Sequence, residues 1–72
     1  MVLECVRIKG VPQSIRESDI ENEWSDLNIA QSGIVFLSDK VYTFFNAKRD
    51  AQDAVNRGFA HKAKTFKTKQ IR

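Results

Sequence analysis

The chain has 72 residues, 42% apolar, 29% charged and 10% aromatic, and a domain of this size closes around one core with no room for a second lobe, a lid or a deep cleft. Its net charge is +3, and near-average apolar content with moderate charge argues for a folded module, expected as one domain over residues 1–72. The longest apolar run, Ile34 to Leu37, is far shorter than a membrane span, while a single cysteine (Cys5) and a single histidine (His61) leave no basis for an internal disulfide or a structural metal site.

From Cys5 to Val11 apolar Val6 and Ile8 alternate with charged Arg7 and Lys9, before Gly10 and the one proline, Pro12. The period of two predicts a half-buried strand ending in a turn. Ser14-Ile15-Arg16-Glu17 has the spacing of a capping box, and Ile20, Trp24 and Leu27 recur at helical intervals. A helix is expected from Ile15 to Asp26, with Glu17, Asp19, Glu21 and Glu23 crowding the half where the helix dipole favours acids. Trp24 is expected in the core.

Gly33 opens the run Ile34-Val35-Phe36-Leu37, and Val41-Tyr42-Thr43-Phe44-Phe45 follows after three polar residues. Two β-prone runs this close predict an antiparallel hairpin. Ala51, Ala54 and Val55 fit a second helix over Lys48 to Arg57, with Asn46 as a cap and Gly58 at its C-terminal end. Residues 62–72 alternate around Phe66 and Ile71 and supply one final strand.

The order β-α-β-β-α-β implies an α+β fold: a ferredoxin-like sandwich with a four-stranded antiparallel sheet and two helices on one face. Strand alternation then assigns the open face. Val6 and Ile8 point to the helices, leaving Cys5, Arg7 and Lys9 outward. Val41, Thr43 and Phe45 point inward, leaving Lys40, Tyr42 and Phe44 outward. Lys67 and Lys69 oppose Phe66 in parity and join them if Phe66 is core.

At these residues the chain resembles the RNA recognition motif family. Val6-Arg7-Ile8-Lys9-Gly10-Val11-Pro12 is similar to the family's first-strand motif, and Ser38-Asp39-Lys40-Val41-Tyr42-Thr43-Phe44-Phe45 to its third-strand motif. Asp19-Ile20 with Trp24, and Asp50-Ala51 with Ala54, are similar to its helix starts, so that the resemblance spans residues 3 to 70. It is an atypical likeness. Arg7 stands where the family usually has a stacking aromatic, the hairpin between the second and third strands is short, and either Lys40 or Ser38 can head the third-strand motif.

The resemblance implies a module that receives single-stranded RNA on the open sheet. Rings stack bases and cations hold phosphates in such recognition. Tyr42 and Phe44 suit the first role, Lys9, Lys40, Lys67 and Lys69 the second, and the guanidinium of Arg7 either one. Residues 1–39 balance to −4 and residues 40–72 to +7, an asymmetry that suits a polyanion partner. The rival reading is a protein-interaction domain of the same fold, docking a partner through the acidic helix around Glu17, Glu21 and Glu23 or through the sheet. On that reading Tyr42 and Phe44 are covered by protein, and the terminal lysines only guard an edge strand.

Neither a nucleophile and base pair nor a glycine-rich phosphate loop occurs, so no enzyme activity, cofactor, metal or membrane partner is expected. The expected setting is intracellular, in nucleus or cytoplasm. Free-standing motifs of this length are unusual in the family, which implies a piece of a larger RNA-processing factor.

Overall fold

A computed structural model describes residues 3–71 of the chain. Its elements run β1 (Glu4–Ile8), α1 (Glu17–Asp26), β2 (Gly33–Leu37), β3 (Lys40–Phe45), α2 (Lys48–Arg57), β4 (Phe59–His61), β5 (Lys64–Phe66) and β6 (Thr68–Ile71). Strands β2, β3, β1 and β6 lie side by side in that order, every neighbouring pair antiparallel, while β4 and β5 form a separate hairpin. The protein is therefore a small α+β domain of two helices and a four-stranded antiparallel sheet.

The period of two in β1 and β3 is what builds the core. Val6, Ile8, Val41, Thr43 and Phe45 are all fully buried, and they meet Ile20 and Trp24 of α1 and Ala51 and Ala54 of α2 on one side of the sheet. Trp24 occupies its expected place at the centre. Its ring meets Phe45 edge-on at 6.1 Å and Phe59 at 5.8 Å, an arrangement that aromatic quadrupoles favour.

Three local expectations are corrected. Helix α1 begins at Glu17 rather than Ile15, because Ile15 closes a turn onto the Pro12 carbonyl (3.1 Å) and buries its side chain ahead of the helix. The acid that meets an orphan amide is Asp19, whose Oδ2 accepts from the Arg16 N–H at 2.9 Å. Helix α2 has the expected bounds, yet its cap is Ala47, with no side-chain hydrogen bond, in place of Asn46. Gly58 does end that helix, at φ 72°, with its N–H on the Ala54 carbonyl.

The third correction is larger. The segment expected as one strand over 62–72 turns back on itself, so that β4 and β5 precede β6. Phe59 and Phe66 are register partners in that hairpin, 5.7 Å apart, and both rings enter the core beside Trp24. A single straight strand after Gly58 gives these two rings opposite parity and buries only one of them. The reversal buries both. It is made at Lys62 and Ala63, each with positive φ (51° and 64°). Strand β6 then pairs with β1 and is tied to α2 by the Thr68 hydroxyl, which donates to the Val55 carbonyl at 3.2 Å.

No helix among the described residues is long and apolar enough to cross a membrane.

Candidate nucleic-acid interface

The face of the sheet opposite the helices is a grid whose rungs follow from strand register. Residues directly across from one another share a face, so each pairing carries the next side chain along. The central rung runs Val35–Tyr42–Arg7–Lys69 through β2, β3, β1 and β6. One rung along lie Gly33, Phe44, Cys5 and Ile71. In the other direction Leu37 pairs Lys40, and Lys9 follows Arg7 with its N–H on the Lys67 carbonyl at 3.0 Å.

Every residue expected on the open face from the first and third strands lies there. Tyr42 is directly opposite Arg7, and Phe44 opposite Cys5, both rings half-buried on a central strand. Lys69 sits across from Arg7 on the other flank, and Lys67 lies beside Lys9. Pairing with Arg7 places Lys69 on this face, and the alternation counted from buried Phe66 gives it the same side.

The grid is graded in chemistry. At one end Phe44, Cys5 and Ile71 are apolar, and Leu3, just before β1, is 47% exposed. At the other end Lys40, Lys9 and Lys67 are cationic. None of the strand positions on this face carries a carboxylate, since Glu4 has the parity of Val6 and its Oε1 accepts from the Gln70 Nε2 at 2.7 Å. A hollow of about 310 Å³ opens at the cationic end between β1 and β6, lined by Arg7, Lys9, Lys67, Thr68 and Lys69. Within the sheet the Nε of Arg7 is buried without a hydrogen-bond partner among the described residues, on the strand position that faces Tyr42.

Sequence reasoning did not single out Val35, Leu37 and Ile71 as members of this face. Val35 and Leu37 are 44% and 58% exposed, so an apolar edge runs along β2 as far as Leu37, which stands opposite Lys40 at the cationic end. The signal was available in the length of the connection: a two-residue turn at Ser38 and Asp39 sets Leu37 opposite Lys40 and so fixes the parity of the whole strand. Cys5 lies on this face as well. It is half-buried among apolar neighbours, and desolvation pushes its thiol above the ordinary cysteine value.

The acidic side of α1 lies away from this grid. Glu21 and Ser25 border a shallow open dish of about 450 Å³ with residues 28–31 after the helix. In comparison with known proteins, the chain matches no family model and no curated protein sequence.

Proposed function

We propose that the chain is a single-stranded RNA-binding module of the RNA recognition motif type, a ferredoxin-like βαββαβ sandwich rather than an enzyme. In this reading β6 takes the place of the fourth strand, and the β4–β5 hairpin is an insertion between α2 and it. The RNA lies across the open grid. Tyr42 and Phe44 stack bases, Arg7 joins ring to phosphate through its flat guanidinium, and Lys9, Lys40, Lys67 and Lys69 neutralise the backbone. Such a module works in the nucleus or cytoplasm, within a larger RNA-processing factor.

The observation that carries the reading is the central rung. It sets Tyr42 directly across the strand pair from Arg7, which lines a hollow together with Lys9, Lys67 and Lys69. A base has a π-face for the ring and a phosphate a charge for the hollow, whatever the sequence. One observation favours a second reading: Val35 and Leu37 are exposed on the same face, and an apolar protein partner would cover them.

Amide chemical-shift titration with short homopolymeric RNA separates the two. RNA binding moves Arg7, Tyr42 and Phe44 together and weakens steeply as salt is added. A face whose resonances stay in place at about 1 mM RNA, a concentration that would reveal even a −4 kcal/mol interaction, overturns the reading.

A further inference from the structure

The two edges of the sheet are built differently. Strand β6 has exposed Lys69 within it and exposed Lys67 just before it, so a second β6 laid against it would bring cations together. Strand β2 has no such protection. Its five residues, Gly33-Ile34-Val35-Phe36-Leu37, carry no charge and no proline, and among the described residues it pairs only with β3, leaving its other side unpaired. Val35, Phe36 and Leu37 are consecutive and expose 44%, 40% and 58% of their surface, which puts large apolar side chains in water on both faces of the strand. An uncharged open edge of this kind is a template for another strand.

We propose that β2 pairs antiparallel with β2 of a second copy of this chain, joining two four-stranded sheets across a two-fold axis at Val35. Self-association about a two-fold axis requires a self-complementary surface, and this strand has one. With Val35 opposite its own copy, Ile34 faces Phe36 and Gly33 faces Leu37. The Ile34–Phe36 pairs cover the Phe36 ring, which the helices leave exposed although it lies on their side.

Gly33 gives the second, independent support. Nothing inside the chain calls for glycine there: its φ lies outside the left-handed region, and a Cβ built on it meets nothing within 4 Å. In the symmetric register it stands opposite Leu37, the most exposed of the large apolar residues. The empty space beside Gly33 accepts that side chain. Pairing of β2 strands also sets the two open grids edge to edge on one continuous face, but it neither needs nor tests RNA binding. An edge contact of five residues a side is small, so association is weak and concentration-dependent.

Sedimentation equilibrium of the isolated chain tests the pairing directly. The mass is expected to rise from one copy towards two as concentration approaches about 1 mM. Val35→Lys, which puts like charges face to face on the axis, leaves one copy at every concentration, and Gly33→Val weakens association at least about tenfold while the circular dichroism spectrum stays unchanged. Disulfide trapping reads the register in a Cys5→Ser background with oxidised glutathione. Val35→Cys chains cross-link to one another, whereas Gly33→Cys cross-links only when mixed with Leu37→Cys. A chain that stays monomeric throughout, a dimer that survives Val35→Lys, or Gly33→Cys chains cross-linking among themselves would each overturn the proposal.

Discussion

Replacing Tyr42 by alanine takes the ring from the centre of the grid and leaves Arg7, Lys9, Lys40, Lys67 and Lys69 in place. A base stacked on an aromatic contributes about 1–3 kcal/mol, so RNA affinity is expected to fall about 5- to 150-fold at 1.4 kcal/mol per tenfold. The electrostatic part is separable. Each phosphate contact on a single strand contributes about −0.7 to the slope of log K against log salt, so contacts from all five cations give about −3.5 in wild type and variant alike. Fluorescence anisotropy of an end-labelled oligonucleotide over a salt series measures affinity and slope together. The fold survives the change, because Tyr42 is half-buried on an uncovered face, where a cross-strand pair contributes only about 0.2–1 kcal/mol. Emission from Trp24, fully buried and the one tryptophan of the chain, reports that in the same cuvette. Unchanged affinity refutes stacking on Tyr42. A loss accompanied by a flatter slope refutes the assignment in another way, placing the effect on phosphate contacts that the ring merely supports.

Thr43→Val removes a buried hydroxyl whose Oγ1 has no hydrogen-bond partner among the described residues, and it is expected to raise stability in urea by about 1 kcal/mol; a loss instead means that the hydroxyl is satisfied in solution. Gly58→Ala forces a Cβ into φ 72°, ψ 168° and costs about 1–3 kcal/mol, whereas Gly33→Ala, with ordinary φ and open space, costs the monomer nothing by the same measurement. Equal losses at the two glycines refute that distinction. Burial holds the Cys5 thiol protonated beyond its ordinary range, so alkylation by iodoacetamide is expected to be slower in the folded chain than in urea, its pH profile displaced upward. The unfolded chain gives up this proton first as pH rises, which makes stability fall through the ordinary thiol range and leaves it unaffected below. Equal alkylation rates folded and unfolded would remove the basis for both statements.

What could be read from the sequence was whatever rests on period. Val6 and Ile8 against Arg7 and Lys9, and Val41, Thr43 and Phe45 against Tyr42 and Phe44, divide into core and open face as alternation requires. Helix α2 was legible to the residue because Gly58 marks its end in the sequence itself. What was hidden lacked the usual punctuation. The turn at Lys62 and Ala63 has positive φ at both central positions, a geometry that asparagine and glycine normally announce, and neither residue type occurs there. The burial of Phe59 against Phe66 supplies the energy that propensity withholds, and such a tertiary gain has no local signature. Phe36 was hidden for a related reason: its parity points to the helix side, yet no helix covers it, and coverage belongs to packing rather than to pattern.

Charge shows the same limit from the other side. Split by position, the chain has an acidic first half and a basic second half, which assigns Arg7 and Lys9 to the acidic part. The fold redistributes them, because β1 lies between β3 and β6 and every second residue of it must share a face with every second residue of its neighbours. Arg7 and Lys9 therefore join Lys40, Lys67 and Lys69 on one surface, while Glu17 and Glu21 stay on α1, beyond the sheet. That surface needs no cleft. A chain too short to enclose a ligand can still present a flat grid with rings and cations on it, so the exclusion of deep pockets by length leaves binding to extended partners untouched.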